Sequence, residues 1–330
     1  MADRQAARAG FRIGVDLGGT KIAAAAIDPA GAIAASRRIA TPAGDYDATV
    51  AAIAGLVAAL EHEIGARAPV GVGIPGTIVA GTGRVKNANS TWLNGRELAR
   101  DVERALGREV RFANDANCFA LSEAVDGAAS GFDTVFGAIL GTGVGGGIVS
   151  GGRLLVGANA IAGEWGHNPL PALEAGEVPG PPCYCGRSGC IETFLSGPGL
   201  AADHLRHAER HAEPHGGAAL SAPEIAAGAR AGREDCRATI ARYVERLARA
   251  LASVINLLDP DAIVLGGGLS ALDILYEEVP RRWGRYVFSD TVVTRLLPPL
   301  HGDASGVRGA AWLWPPEPAT TGSAPTAQRQ

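Results

Sequence analysis

The sequence contains few cysteines and no long uninterrupted run of apolar residues. Five cysteines in 330 residues are too few for a disulfide framework, so a reducing compartment fits the composition best. No apolar run approaches the roughly 20 residues that span a bilayer, and residues 1–11 lack the apolar core of a secretion signal. We therefore predict a cytoplasmic protein that has no membrane partner.

The sequence also lacks a strong excess of either charge. Thirty Lys and Arg residues against 34 Asp and Glu residues give a formal net charge of −4, and no cluster of basic residues could follow a phosphate backbone. Nucleic acid is therefore not expected as a partner. The chain is 47% hydrophobic and 19% charged, as in folded globular proteins, and its length is enough for two lobes or one large domain.

Glycine is abundant, with 46 residues, and part of it is clustered. Short apolar segments at 11–17 and 22–27 flank Gly18-Gly19, which predicts a β-hairpin. Segments 134–140 and 144–149 flank Gly141-Thr142-Gly143 in the same way, about 125 residues later. That interval is too long for a solenoid repeat and predicts two duplicated lobes.

The segments between and after these hairpins alternate between helix and strand patterns. Apolar residues at a spacing of three and four predict amphipathic helices, and short apolar runs predict buried strands. The alternation indicates an α/β protein. The predicted helices are 48–63, 98–106, 117–129 and 236–258, and the predicted strands are 70–74, 110–113 and 262–265.

The first glycine turn carries residues suited to phosphate. Backbone N–H groups of Gly18 and Gly19 can approach phosphate oxygens, Thr20 and Lys21 add donors, and Asp16 can hold Mg²⁺. An ordinary hairpin turn is the alternative, since Gly-Gly is common there. The turn is followed by a strand and has no third glycine, so it does not match the dinucleotide-binding fingerprint, and no P-loop motif is present.

The second glycine turn repeats this possibility. Gly141, Thr142 and Gly143 would supply donors from the opposite lobe to the same polyphosphate. Gly266, Gly267 and Gly268 follow a predicted buried strand, where glycine allows either close approach of a nucleoside or tight packing of strand and helix. Both interpretations stay open for this third cluster.

Asn114 and Asp115 follow the predicted strand 110–113. Ligand contacts collect at the carboxyl ends of strands in α/β sheets, and an Asp there can take the proton of a substrate hydroxyl while Asn114 holds a neighbouring hydroxyl. Capping of the following helix is the alternative, since Asn and Asp are among the best N-cap residues.

One imidazole and three thiols are spaced as ligands of a structural zinc ion. His167, Cys183, Cys185 and Cys190 would fill a tetrahedral site, and buried unliganded cysteines are the alternative. Zinc would order a loop that is poor in apolar residues. The ordered loop would then form a wall of the binding site, where the carboxylates of Glu164 and Glu192 and the second ring nitrogen of His167 contact the hydroxyls of a sugar. The alternative is that these glutamates are plain surface charges.

These motifs together resemble the ROK family (repressors, open reading frames, kinases) over residues 12–314. The resemblance is carried by Asp16 to Lys21, Gly-Ile-Pro-Gly76, Asn114-Asp115, Gly141-Thr-Gly143, Glu164-Trp-Gly-His167 and the Cys183 to Glu192 segment. Segments 85–95 and 301–314 are most similar to bacterial fructokinases of the manno(fructo)kinase type. N-acetylglucosamine kinases and glucokinases share most of the other motifs.

The resemblance implies an actin-like (ribonuclease H-like) fold of two α/β lobes with a cleft between them. Residues 11–116 and a final helix at 305–314 would form the small lobe, residues 117–304 the large lobe with a zinc loop at 163–192, and residues 315–330 a disordered tail. The predicted activity is transfer of phosphate from ATP, with Mg²⁺, to a hexose, most simply D-fructose to fructose 6-phosphate. Homodimers are usual for such kinases, and we expect one here.

The resemblance also implies residue roles. Asp115 would be the general base, the two glycine turns the phosphate loops, and Gly266 to Gly268 a neighbour of adenosine. The sugar contacts would be Gly76, Asn89, Asn114, Asp115, Glu164, His167 and Glu192. A Pro/Gly insert at 174–182 departs from the family pattern and leaves the shape of the cleft rim open.

Three alternatives differ in class or substrate. A glucokinase or a kinase of N-acetylglucosamine or N-acetylmannosamine would use the same residues on another sugar. A sugar-sensing repressor needs a DNA-binding module of roughly 60 residues, and only 13 residues precede Gly14. An actin-like ATPase would share the phosphate loops and would have no use for the sugar wall.

Overall fold

The structure, a computed structural model, describes residues 10–79, 81–210 and 220–315. The strands of these residues form two five-stranded sheets and one two-stranded hairpin. The strands are β1 Arg12–Leu17, β2 Lys21–Ile27, β3 Ile33–Ala40, β4 Val70–Ile74, β5 Thr77–Ile78, β6 Val85–Lys86, β7 Val110–Asn114, β8 Thr134–Leu140, β9 Val144–Ser150, β10 Arg153–Leu154, β11 Ala262–Gly266 and β12 Arg295–Leu297.

The two large sheets have the same topology. The first has the order β3-β2-β1-β4-β7 and the second the order β10-β9-β8-β11-β12. In each sheet, the first three strands in chain order pair antiparallel. The fourth strand pairs parallel with the first, and the fifth pairs parallel with the fourth. This repetition confirms the predicted duplication and gives the two-lobe, actin-like α/β fold.

Helices cover both sheets. Those of the described residues are α1 Tyr46–Ile64, α2 Leu98–Leu106, α3 Asp115–Val125, α4 Glu192–Leu195, α5 Gly197–Arg210, α6 Ala222–Arg230, α7 Glu234–Leu258, α8 Ile274–Trp283 and α9 Ser305–Trp312. α1 shows why these segments are helical. Its N-cap Asp45 accepts the Ala48 N–H at 3.0 Å, Gly65 ends it in a left-handed conformation, and Ile53, Val57 and Leu60 bury one face against the first sheet.

The last helix, α9, belongs to the first sheet although it comes from the other end of the chain. A Cβ atom on Gly14 of β1 would lie 1.8 Å from the Val307 carbonyl oxygen, and one on Gly71 of β4 would lie 1.8 Å from that of Ala310. Only glycine permits this approach of sheet and helix. The contact agrees with the predicted docking of the final helix, and the lobe boundaries themselves stay a prediction.

α3 lies against the second sheet and also contacts α9. Gly147 of β9 would place a Cβ atom 2.8 Å from the Ala116 carbonyl oxygen, and Gly309 of α9 would place one 1.7 Å from that of Cys118. The helix therefore stands between the two halves of the fold. It begins at Asp115, two residues before the predicted start, because the Asn114 side chain accepts the Asn117 N–H at 2.7 Å and caps it.

The Pro/Gly insert is fixed by buried charges. Glu177, in a 3₁₀ turn over Ala175–Glu177, pairs with Arg246 at 2.6 Å and Arg249 at 2.8 Å, both on α7. These hydrogen bonds outweigh burial and hold the pKa of Glu177 at about 2, far below its usual range. The insert therefore has a defined conformation against α7. Of the predicted tail, only Pro315 lies within the described residues.

Candidate functional site

The first glycine turn joins β1 to β2 and ends at a carboxylate. The Gly18 N–H donates to the Lys21 carbonyl at 3.0 Å, which closes the predicted hairpin. Asp16, the next to last residue of β1, is half-buried beside the start of α9, where a Cβ atom on Gly306 would lie 2.7 Å from its Oδ2. Gly19 and Thr20 are exposed at the tip of the turn, so their backbone is open to a ligand.

Lys21 is exposed and lies 3.7 Å from the Asp303 carboxylate. An exposed ion pair of this kind contributes little to stability. The ammonium group is therefore free to exchange this partner for a phosphate oxygen.

Asn114 and Asp115 lie at the same edge as Asp16, because β1, β4 and β7 are parallel and adjacent. The Asn114 side chain caps α3, so the capping alternative is correct for this residue. The Asp115 carboxylate accepts the N–H of the next residue, Ala116, at 2.8 Å. Capping uses the side-chain oxygen of Asn114, and the substrate contacts of Asn114 and Asp115 stay a prediction.

The second glycine turn joins β8 to β9 and is bound by a glutamate. The Gly141 N–H donates to the Gly143 carbonyl at 3.0 Å. Glu192, the first residue of α4, accepts the Val144 N–H at 2.9 Å, and its Oε2 would lie 2.8 Å from a Cβ atom on Gly143. Glu192, predicted as a sugar contact, thus also holds the second turn, while Thr142 at the tip is exposed.

The third glycine cluster is explained in part by packing. A Cβ atom on Gly266 would meet the Phe119 ring at 2.6 Å, and one on Gly267 would lie 2.5 Å from the Leu140 carbonyl oxygen. Gly267 therefore presses against the second glycine turn. Gly268 has open space where a side chain would be, so it is the member of the cluster that a nucleotide could approach.

Four carboxylates converge between the two sheets. Burial, followed by the neighbouring charge of Asp115, raises the pKa of Asp16 to about 6. Burial also raises the pKa of Asp115, against the opposing hydrogen bond from Ala116. Burial raises the pKa of Glu164 as well, with further contributions from the charges of Asp115 and Glu192. Such an array favours a bound cation or a proton, and perturbed acids of this kind are common in active sites.

Glu164 owes its position to two glycines. Gly146 of β9 would place a Cβ atom 2.8 Å from the Gly163 carbonyl oxygen, so strand and loop touch through their backbones. The Trp165 Nε1–H donates to the Gly145 carbonyl at 2.8 Å and fixes the 3₁₀ turn over Trp165–His167. Gly145 and Gly146 therefore serve packing, and the phosphate prediction is confined to Gly141 to Gly143.

The four predicted zinc ligands lie together, with their ligand atoms within 4.8 Å of one another. His167 Nδ1 is 3.6 Å from Cys183 Sγ, and Cys185 Sγ is 3.6 Å from Cys190 Sγ. A disulfide would need about 2.05 Å, whereas tetrahedral zinc with Zn–S bonds of about 2.3 Å places sulfurs about 3.8 Å apart. The donor set and its spacing therefore fit zinc.

The second nitrogen of His167 has a partner within the protein. Nε2 lies 2.9 Å from the hydroxyl of Tyr184, so the sugar contact, which stays a prediction, would have to replace this hydrogen bond. Tyr184 itself is 79% exposed. Tyr184 therefore lies at the site, and the sequence reasoning missed it because it had treated this position only as a spacer between Cys183 and Cys185.

The segment after β6 reaches the same cleft. A Cβ atom on Gly76 would lie 2.4 Å from the Lys86 carbonyl oxygen, so this glycine positions the segment by close contact. Asn94 bonds Ala88 twice, accepting its N–H at 2.9 Å and donating to its carbonyl at 3.0 Å. Asn89 is exposed beside this clamp. Sequence reasoning missed Asn94, because Asn before Gly indicates only a turn.

Two cavities lie near these residues. One of about 80 Å³ is lined by Asn114, Asn117 and apolar side chains. The buried Oδ1 of Asn117 has no hydrogen-bond partner among the described residues. The other, of about 500 Å³, is a mainly apolar groove among α6, α7 and the start of α8, just beyond Gly268 in the chain.

Comparisons with known proteins agree with this geometry. A model of the ROK family matches residues 12–317. The chain is 40% identical to N-acetyl-D-glucosamine kinase of Escherichia coli O127:H6 (strain E2348/69 / EPEC) over 306 residues, which is 91% of this chain and 98% of that protein. The crystal structure of ROK hexokinase from Thermus thermophilus has a TM-score of 0.79 at 31% identity, covering 91% of this chain and 96% of that one.

A ROK family glucokinase from Streptomyces griseus, solved in complex with glucose and AMPPNP, has a TM-score of 0.73 at 30% identity, covering 92% of this chain and 99% of that one. The chain therefore belongs to the ROK family, and its class is that of the ATP-dependent sugar kinases. The curated relative is an N-acetylglucosamine kinase, so the comparisons do not support the finer prediction of a fructokinase. No helix of the described residues is long and apolar enough to cross a membrane.

Proposed function

We propose that the protein transfers the γ-phosphoryl group of ATP to the 6-hydroxyl of N-acetyl-D-glucosamine. The observation that carries the phosphoryl transfer is the convergence of Asp16, Asp115 and Glu164 between two glycine turns, one from each sheet. The sugar is taken from the relative that is 40% identical over 91% of this chain.

In the proposed reaction, Asp115 takes the proton of the sugar hydroxyl. The oxygen then forms a bond to the γ-phosphorus while the bond from that phosphorus to the β,γ-bridging oxygen breaks, and ADP leaves with that oxygen. The raised pKa of Asp115 makes it a stronger base than an ordinary aspartate once it is ionised. Asp115 begins α3, and its carboxylate is bonded only by backbone N–H groups of the helix start, those of Ala116 and of Asp115 itself, so in this proposal it keeps an acceptor for the substrate hydroxyl.

The two glycine turns would hold the phosphates from opposite sides. Their exposed tips, at Gly19 and Thr142, present backbone to the cleft. Asp16 is suited to bind magnesium, because carboxylate oxygens are the ligands this ion prefers. A cation here would also reduce the repulsion between Asp16 and the neighbouring carboxylates. The ion would neutralise charge on the phosphates. The adenine would occupy the apolar groove of about 500 Å³ beyond Gly268.

The proposed sugar wall comes from the zinc loop and from the segment after β6. Glu164, Glu192 and Asn89 offer acceptors and donors for ring hydroxyls. Zinc bound by His167, Cys183, Cys185 and Cys190 would hold this wall in place without an open coordination position. Sugar contact by His167 would require Tyr184 to move from its 2.9 Å hydrogen bond.

The small cavity beside Asn114 supports an acetamido sugar. Its volume of about 80 Å³ has room for two or three water-sized groups. Apolar side chains such as Ile78 and Leu154 line it, and the unpartnered Oδ1 of Asn117 is an acceptor for an amide N–H. An acetamido group, with one donor and one methyl, matches these two features.

Fructose is the second candidate, because segments 85–95 and 301–314 resemble bacterial fructokinases. The first of these segments contains Asn89. Since this segment forms part of the proposed sugar wall, the choice between the two sugars depends on it.

The test is ADP release with ATP and Mg²⁺ across N-acetylglucosamine, N-acetylmannosamine, glucose, mannose and fructose, using protein of measured zinc content. We expect the highest kcat/KM with N-acetylglucosamine. Highest activity with fructose would overturn the acetamido assignment and keep the mechanism. Absence of stimulation by every sugar, in protein that contains zinc, would overturn the proposed function.

The cavity gives a second, internal test. Ala113 lines it from β7, and Ala113→Val would fill part of its volume. We expect this variant to raise KM for N-acetylglucosamine about 10-fold while KM for glucose changes less, because only the acetamido group needs the space. Equal effects on both sugars would contradict the acetamido site.

A further inference from the structure

Ser90 occupies the N-cap position of a 3₁₀ turn and does not cap it. A serine in that position commonly accepts a hydrogen bond from the backbone two or three residues later. Here the Leu93 N–H instead donates to the Ser90 carbonyl at 3.0 Å, and the Ser90 side chain makes no capping bond. The hydroxyl therefore serves no local purpose in the turn.

The Ser90 hydroxyl is buried and unpartnered. The residue is 2% exposed, and its Oγ has no hydrogen-bond partner among the described residues. Leaving a buried hydroxyl unbonded is costly, so such atoms in native proteins call for an explanation.

The direction of the Ser90 side chain supplies that explanation. A Cβ atom built on Gly19 would lie 3.4 Å from Ser90 Oγ, so the hydroxyl faces the tip of the first glycine turn. The residue directly before Ser90 is Asn89, a proposed sugar contact. The two hydrogen bonds between Asn94 and Ala88 fix the backbone of this segment. Ser90 thus lies between the proposed phosphate loop and the proposed sugar wall.

We propose that the Ser90 hydroxyl binds the phosphoryl group that is transferred, donating its proton to an oxygen of the γ-phosphate. A hydroxyl has one donor, and a phosphate oxygen is a charged acceptor that forms shorter and stronger bonds than a neutral one. ADP has no γ-phosphate, so it would lack this hydrogen bond. The inference rests on the proposed function of the site and adds a phosphate ligand on the segment that also carries the sugar contact.

A matched control exists in Ser122. Its Oγ is likewise buried and without a partner among the described residues, but it lies in α3, seven residues beyond Asp115. It is not among the atoms nearest to a Cβ atom built on a glycine of either turn. Ser122→Ala and Ser90→Ala each remove one buried hydroxyl of the same kind. Only Ser90→Ala removes a hydroxyl that faces the proposed phosphate loop.

The experiment measures the affinity of the full-length zinc-containing protein for ADP and for a non-hydrolysable ATP analogue, with Mg²⁺ and saturating sugar. We expect Ser90→Ala to weaken binding of the ATP analogue by about 10-fold or more, with binding of ADP within about twofold of the unaltered protein. Ser122→Ala should change neither affinity. Turnover of Ser90→Ala should fall with KM for the sugar little changed.

Two results would overturn the inference. Equal weakening of ADP and of the ATP analogue would show a structural role for Ser90, and unchanged affinity for both would show no role in nucleotide binding. If the unaltered protein phosphorylates a sugar in either case, the proposed function stands and only the Ser90 inference fails. If the unaltered protein neither binds nucleotide nor phosphorylates any sugar, both fail together.

Discussion

Asp115 combines two properties that an aspartate at a helix start does not usually have together. It begins α3, where its carboxylate accepts the Ala116 N–H at 2.8 Å, and burial nevertheless raises its pKa. The helix start stabilises the ionised form, while burial makes that form a stronger base. A general base of this kind works only above its pKa.

We expect Asp115→Asn to lower kcat by about 10²–10⁴-fold, because the amide cannot accept the hydroxyl proton. Sugar affinity should be largely kept, since the asparagine has nearly the same shape. In the unaltered protein, kcat/KM should fall as the pH drops through the raised pKa, above the range of an ordinary aspartate. Steady-state kinetics against pH tests both points, and a variant with full activity would remove Asp115 from the mechanism.

Asp16 shows the cost that the site imposes on the fold. Its pKa is about 6 in the folded protein against an ordinary value of 3.8, so the folded state holds its proton more tightly than the unfolded state. Protonation of this group therefore stabilises the fold as the pH is lowered from about 6 to about 4. Above about pH 6 the carboxylate is ionised, and its burial lowers the free energy of unfolding by the full amount.

We expect Asp16→Asn to raise the free energy of unfolding by about 1–3 kcal/mol at pH 8 and to have little effect near pH 3, where the carboxyl group is protonated in the folded protein and largely protonated in the unfolded chain. Urea unfolding at the two pH values measures this, with the exposed Asp303→Asn as the control that should change little. The same variant should lose kinase activity. Equal stability of Asp16→Asn and the unaltered protein at pH 8 would contradict the interpretation.

At the scale of elements, sequence patterns predicted seven of the twelve strands and four of the nine helices of the described residues. Residues 98–106 and 134–140 were predicted with the observed ends, because apolar periodicity and flanking glycines are local signals. The conformation of the insert at 174–182 was not predictable, because it depends on contacts of Glu177 with α7, about 70 residues away. Tyr184 and Asn94 were missed for a different reason: their partners, His167 and Ala88, are near in the sequence, but a Tyr between two cysteines and an Asn before a Gly carry no signal of these contacts.

The loop at 163–192, with its proposed zinc site, is the element whose order we expect to depend most on a ligand. We expect Cys185→Ser to lose zinc and to raise KM for the sugar by at least 10-fold, with KM for ATP less affected, because the loop carries Glu164 and Glu192 toward the sugar. Cys118→Ser, at a buried cysteine on α3 that belongs to no group of possible metal ligands among the described residues, should keep its zinc. Metal analysis together with kinetics tests this. Full sugar affinity in a zinc-free variant would show that the loop folds without the ion.

At the scale of the whole molecule, the duplicated sheets explain why the site has two glycine turns. Equivalent hairpins, β1-β2 and β8-β9, each present a turn at one edge of a sheet, and α3 and α9 stand between the sheets. The predicted duplication came from this pair of turns in the sequence. The choice of sugar did not follow from it, because that choice depends on side chains from both halves of the fold whose spacing no motif records.

Because the proposed ligand contacts come from both sheets, ligands should draw the lobes together. Asp16 and Asp115 belong to the first sheet and its edge, while Glu192 and Gly143 belong to the second. A closed cleft would also exclude water that could otherwise accept the phosphoryl group. We expect the radius of gyration from small-angle X-ray scattering to fall when the sugar and a non-hydrolysable ATP analogue are added together, and less with either alone. Asp115→Asn should close like the unaltered protein, since it keeps the binding contacts, and a radius unchanged by both ligands would show that the cleft is already closed without them.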